Sequence, residues 1–255
     1  MNISITGTLG SGKSSVCKIL KENGYDIISN GVLFRQIAEE KGISVVELNE
    51  LAKKDKSIDD MLDERSIRLG KELDQTVFDS RMGWHFIPHS FKVFLLADMR
   101  EAGRRVFNDN RVSEEYASQE EATQNLIQRQ LMEKKRFFDL YQVDYLNLNN
   151  YNLVIESTHA SPEEVAEKIL EGARDFARKK RALINTESLH VIVHAEEEGP
   201  VRVGVARNKF YLLSGLKEFL VAKEEGRTFI EATLDEDNRL WVDSSEELIL
   251  DFVKR

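Results

Sequence analysis

Residues 3–20 read ISITGTLGSGKSSVCKIL, and few stretches of this length restrict a fold more. Ile3 and Ile5 mark a buried strand, and the apolar spacing resumes as a helix over about 13–22. Between them, Gly7, Gly12, Lys13 and Ser14 fit G-x-x-x-x-G-K-[ST]. The glycines let backbone N–H groups turn inward around a phosphate with no Cβ in the way. Lys13 brings a mobile positive charge to terminal phosphates, and the Ser14 hydroxyl is a ligand for Mg²⁺. Thr8, Leu9, Gly10, Ser11 and Ser15 complete the loop, and the helix that starts there aims its positive end at the same anion. A strand before and a helix after make this a nucleotide-phosphate loop.

The rest of the first 185 residues keeps that rhythm. Strands are expected at 25–29, 75–79, 91–97 and 152–157, with helices at 31–42, from 44 onward, at 57–72, from 118 to about 140 and from 161 through 184. SVVE (44–47) and SQEE (118–121) are capping boxes. Ser161 is an N-cap with Pro162 at the first helical position and acids in the first turn. Strands alternating with helices predict an α/β domain with a mainly parallel sheet covered on both faces. From residue 186 the pattern changes. SLHVIVHAE, VRVGVARNKFYLL, RTFIEATL and RLWVDS read as strands, with a short helix at 215–225 and a closing helix in SSEELILDFVKR. Residues 186–255 are therefore expected to form a small α+β domain after an α/β domain of residues 1–185.

Bulk composition excludes several classes. The net charge is −9, and from Thr186 onward nine basic residues face fifteen acidic ones. Neither segment has the basic excess of a nucleic-acid binder. No apolar run approaches a membrane span, and no charged n-region followed by an apolar h-region opens the chain. Cys17, the sole cysteine, cannot form an intrachain disulfide and is expected in the core, so a cytoplasmic protein is expected. A base-reading N-K-x-D is missing, which argues against a GTPase. LSGLK (213–217) is too far downstream and lacks the Gln of a transporter signature.

Arginines stand downstream of the loop: Arg35, Arg81, Arg104, Arg105, Arg111, Arg129 and Arg136. Phosphoryl transfer between two nucleotides gathers negative charge and needs positioning and neutralisation more than covalent chemistry, which guanidinium groups supply. The polar segment 104–136 is expected to act as a lid that excludes water.

Several blocks in order resemble the cytidylate kinases, most closely the short archaeal type: ISITGTLGSGKSSVCKIL, ISNGVLFRQIAEEKGIS, IDDMLDERSIRLGKELD, RQLMEKKRFFDLYQVD and YNLVIESTHASPEEVAEKIL. The resemblance implies a nucleoside monophosphate kinase fold with a five-stranded parallel core. It implies ATP on Lys13 and the loop 7–15, with Mg²⁺ at Ser14. Arg35 and Arg81 would hold the acceptor phosphate, and Arg129 and Arg136 would close over the transferred group. Asp79 would orient a metal-bound water, and Asp63 is a weaker candidate for the acceptor pocket. The expected activity is ATP- and Mg²⁺-dependent phosphorylation of CMP or dCMP. The alternatives are another nucleotide or small phosphorylated acceptor, or a non-catalytic ATP-binding regulator acting through residues 186–255.

The sequence departs from the family at two points. DSRMGW replaces Glu-Gly-Arg, placing Ser80 where the family has backbone only, and Asn30 precedes Gly31. Trp84, His85, Phe86 and His89 in the following loop offer stacking or hydrogen bonding to an acceptor base. No histidine pair has metal-ligand spacing. The resemblance stops before residue 186, where a protein-contact, homo-oligomer or regulatory role is expected.

Overall fold

The computed structural model describes residues 1–108, 116–175, 181–206 and 209–235. The expected strand RLWVDS, the closing helix and Arg111 lie outside these residues. Strands β1 (Ile3–Gly7), β2 (Asp26–Ser29), β3 (Thr76–Asp79), β4 (Phe91–Leu96) and β5 (Leu153–Glu156) lie parallel in the order β2-β3-β1-β4-β5. Such strands are buried on both faces and so read as apolar runs. FKVFLL of β4 is buried at every position except Lys92. Helix α1 (Lys13–Glu22) follows β1. It is joined by α2 (Asn30–Glu40), α3 (Val45–Ala52), α4 (Ser57–Glu72), α5 (Gly83–Phe86), α6 (Met99–Asn108), α7 (Gln119–Tyr141) and α8 (Pro162–Arg174). One apolar layer joins Val16, Cys17 and Leu20 of α1 to Val165 and Ile169 of α8 across β1, β4 and β5.

The sheet continues beyond these five strands. β6 (Arg181–Asn185) adds parallel to β5. β7 (Leu189–Glu196), β8 (Arg202–Ala206), β9 (Lys209–Ser214), α9 (Leu216–Glu224) and β10 (Phe229–Leu234) follow. The last strand returns to lie antiparallel on β6, and the full order is β2-β3-β1-β4-β5-β6-β10-β8-β9-β7. The boundary expected near residue 185 falls at the end of β6, and the ten-stranded sheet runs on across it. Phe210, Leu212, Ile230 and Ala232 share a core with Phe94 and Tyr151.

Four local expectations are corrected. The helix expected through residue 184 ends at Arg174, and Arg181–Asn185 is a strand. Its Ala182, Leu183 and Ile184 are buried because strands flank them on both sides. VRVGVARNKFYLL is two antiparallel strands pairing Ala206 with Lys209, so the apolar run folds back on itself. The SQEE box is half formed: Ser118 accepts from the Glu121 amide, but the Glu121 carboxylate accepts from Ala117 N. Within the expected loop after β3, Gly83–Phe86 forms a helical turn. Met99–Asn108, whose end enters the expected lid segment 104–136, is a helix packed on α7. The box at Ser44 is complete, Ser161 caps α8 as expected and closes a box with Glu164, and α4 spans the expected 57–72. Among the described residues no helix is long and apolar enough to cross a membrane.

Candidate active site

The glycine loop joins β1 to α1 at the C-terminal edge of the sheet, beside β3 and β4. A side chain at Gly7 would collide with the Leu95 carbonyl, which accepts from Thr8 N at 2.9 Å. At Gly10, a methyl would lie 2.7 Å from the Ala102 Cβ. Gly12 caps α1 at φ 86°, in the left-handed region glycine tolerates. No side chain caps this N-terminus, and its first turn holds no acid. The leading N–H groups of a helix lack the usual intrahelical partner; here Ser15 N turns to Gly12 O at 3.0 Å, and no side chain takes up the others.

Lys13 Nζ folds back over the loop and donates to Thr8 O at 2.9 Å and Gly7 O at 3.4 Å. Burial, with the nearby Arg81 guanidinium, lowers its pKa to about 7 against the opposing pull of Asp79 and Glu133. Arg81, 17% exposed, donates from Nε to Glu133 Oε2 at 2.7 Å, which ties the turn after β3 to α7. Asp79 ends β3 in register with Ile5, half-buried below the loop. Lys13, Asp79, Arg81 and Glu133 thus form one electrostatic cluster. Ser14 and Ser15 are exposed.

A second cluster joins α4 to α7. Arg136 Nη2 reaches Asp59 Oδ1 at 2.6 Å, and Tyr141 donates to Asp63 Oδ2 at 2.8 Å. Burial raises the Asp63 carboxyl to about 6, eased by the Tyr141 bond and reinforced by Asp59 and Asp60. Arg129 lies half-buried on α7, one turn before Glu133. Arg35 is exposed on α2, its Nη1 beside Gly31. The fold therefore groups Lys13, Asp79 and Arg81 at the loop, and Arg136 with Asp63 between α4 and α7, while Arg35 stands apart on α2.

Some functional candidates were invisible in the sequence. Glu133 orders Arg81 from 52 residues away. Its one legible signal is its place one turn beyond Arg129 on the same helix. Arg105, one of the arginines named for phosphate, has partners that the sequence does not show. Its Nη2 donates to the carbonyls of Ser157 and Thr158 at 3.0 and 2.7 Å, and its Nη1 lies 4.0 Å from the position a Gly12 Cβ would take. Arg104 instead pairs with Glu101 at the surface. The loop aromatics mostly serve the core: Trp84 is buried against Tyr151, and Phe86 packs edge-on to Tyr141. Ser80 Oγ accepts from Met82 N, so its side chain shapes the turn that carries Arg81. Cys17 is buried and its thiol is pushed up to about 12 by that burial, as an inert core residue. Among the described residues no group of three or more His, Cys, Asp or Glu is disposed to hold a metal.

The sequence pattern of the cytidylate kinase-like family matches residues 2–159. The chain belongs to that family. The cytidylate kinase of Sulfolobus acidocaldarius is 35% identical over 173 residues, covering 67% of this chain and 92% of that protein. The cytidylate kinase of Thermoplasma volcanium is 35% identical over 185 residues, covering 71% and 95%. An uncharacterized protein from Eubacterium ventriosum has a crystal structure similar to this fold, with a TM-score of 0.54 and 17% identity over 68% of this chain and 98% of that one. The chain is a nucleoside monophosphate kinase-type phosphotransferase, and the family match ends well before β6.

Proposed function

We propose that this cytidylate kinase-like protein transfers the γ-phosphoryl of ATP to CMP or dCMP, with Mg²⁺ as cofactor. The carrying observation is the cluster of Lys13, Arg81, Asp79 and Glu133 beside the uncapped start of α1. The loop 7–15 cradles the β- and γ-phosphates on backbone N–H groups, and Lys13 turns from Thr8 O toward them. Arg81 and Arg35 bind the acceptor phosphate, while Arg129 and Arg136 neutralise the group in transfer. An acceptor phosphate oxygen attacks the γ-phosphorus in line, forming a P–O bond as the bond to the β-phosphate oxygen breaks. Glu133 holds Arg81 in place for that step.

A hydroxyl and a carboxylate are the hard oxygen donors Mg²⁺ takes alongside substrate phosphates. The exposed Ser14 hydroxyl and Asp79, at the base of the loop, fit that demand. When bound, the ion neutralises charge between the phosphates; Ser14 and Asp79 are the residues that would hold it. Asp63 of α4, held by the Tyr141 hydroxyl of α7, faces the acceptor in this reading.

ADP formation from ATP and Mg²⁺ over a panel of nucleoside monophosphates tests the proposal. Turnover is expected with CMP or dCMP and lost in Arg81→Ala. Turnover confined to another acceptor would replace the substrate. ATP binding without turnover on any acceptor would leave a nucleotide-binding regulator.

A further inference from the structure

Along α7 the fully buried side chains are Ala122, Leu126 and Gln130. The first two are apolar, and the third carries an amide. Gln130 is 0% exposed, and neither its Nε2 nor its Oε1 has a hydrogen-bond partner among the described residues. Buried polar groups are almost always paired, and an amide taken out of water without a partner lowers stability. A methionine, unbranched and adaptable, would fill the same space without that cost. Packing alone therefore gives no reason for this side chain.

Its place on the helix supplies one. Side chains three and four residues apart share a helical face. Leu126, four residues before, shares an apolar cluster with Leu9 of the glycine loop. Glu133, three residues after, holds Arg81 and acts on the charge of Lys13. Gln130 thus lies on the face that α7 turns to the loop, between the Leu9 contact and the Lys13 side. The loop has a matching need that arises only with nucleotide. Lys13 Nζ donates to Gly7 O and Thr8 O. When phosphates draw that ammonium away, both carbonyls lose a donor.

We propose that Gln130 is a positioning residue of the nucleotide-bound state. Its amide is unpaired in the free protein and donates to the loop carbonyls that Lys13 leaves on turning to phosphate. The bound protein then has a hydrogen bond that the free protein lacks, and a ligand that favours one state in this way shifts the molecule toward it. Held by that bond, α7 fixes Arg129, the neighbour of Gln130, and Glu133 over the loop. This inference rests on the reading that the loop holds ATP.

Gln130→Met in the full chain tests it, with Gln130→Leu as a second apolar variant. Without nucleotide, Tm should equal or exceed that of the unsubstituted protein, because an unpaired amide has been removed. Affinity for a non-hydrolysable ATP analogue with Mg²⁺, read by calorimetry, should fall about tenfold or more. The rise in Tm on adding the analogue should shrink accordingly, and kcat in the ADP-release assay should fall with it. Analogue affinity and kcat both within about twofold of the unsubstituted protein would mark the amide as a packing fault and overturn the proposal. A lower Tm without nucleotide in both variants would also overturn it, since the amide would then be paired before nucleotide arrives. Failure of the unsubstituted protein to bind the analogue would strike the reading of the loop itself, and this inference with it.

Discussion

Helices α1 and α8 start at the same edge of the sheet and share one apolar layer, yet their first turns are opposites. At α8, Ser161 accepts from Glu164 N, the Glu164 carboxylate accepts from Ser161 N, and Pro162 occupies the first turn with two acids. That end is closed by its own side chains. At α1, a left-handed glycine takes the cap position, no side chain answers the N–H groups, and Lys13 stands beside them. The dipole points the same way in both, so the cap residues alone decide which helix greets an anion.

Removing the charge from the open end should give the largest effect. Lys13→Ala is expected to lower kcat/KM on the order of 10³-fold; a loss under about tenfold, measured in the ADP-release assay, would remove Lys13 from phosphoryl transfer. Closing the open end comes next. Gly12→Ser forces a side-chain residue into left-handed backbone, costing about 1–2 kcal/mol, and offers a hydroxyl to the N–H groups meant for phosphate. ATP affinity by calorimetry should drop more than about tenfold, and unchanged affinity would show that the bare cap is dispensable. Opening the closed end should touch stability alone. Ser161→Ala is expected to cost about 1 kcal/mol, seen as a lower Tm with kcat within about twofold; a matching loss of kcat would mean that α8 is coupled to the chemistry.

The finest test uses protons. Lys13 has a folded pKa of about 7 against 10.5 in its ordinary state. Between these values the unfolded chain binds more protons, so the contribution of Lys13 to stability rises with pH through that window. Phosphates on the loop restore its charge, so ATP binding at pH 8 should take up protons, and less so at pH 6. Calorimetry in buffers of different ionisation enthalpy reads this uptake. Equal uptake at both pH values, or persistence of the effect in Lys13→Met, would break the assignment.

What could be read from the sequence was local. The glycine loop, the box at Ser44, the N-cap at Ser161 and the bounds of α4 each depend on residues of one short continuous stretch, and all stand in the structure. Most of what was missed depends on distance along the chain; the half-formed box at Ser118, where Glu121 turns to Ala117 N, and the hairpin pairing Ala206 with Lys209 are local exceptions. RALI reads as helix because its burial comes from β5 and β10, the latter 46 or more residues away. Glu133 meets Arg81, Arg136 meets Asp59 and Tyr141 meets Asp63 only once α7 packs beside α4 and the turn after β3. Trp84 resembled a base reader because aromatic residues in a loop carry no mark of whether Tyr151 will cover them.

The return of β10 onto β6 has its own consequence for how the protein is made. β6 presents Ala182, Leu183 and Ile184 along an edge that stays bare until residues 229–232 have emerged and turned back. During synthesis, the kinase segment would thus be ready to fold some 50 residues before its last edge is sealed. An unpaired apolar edge recruits neighbouring chains. A chain cut after Asn185 would keep every residue of the phosphate loop and still be the form most prone to stick to itself.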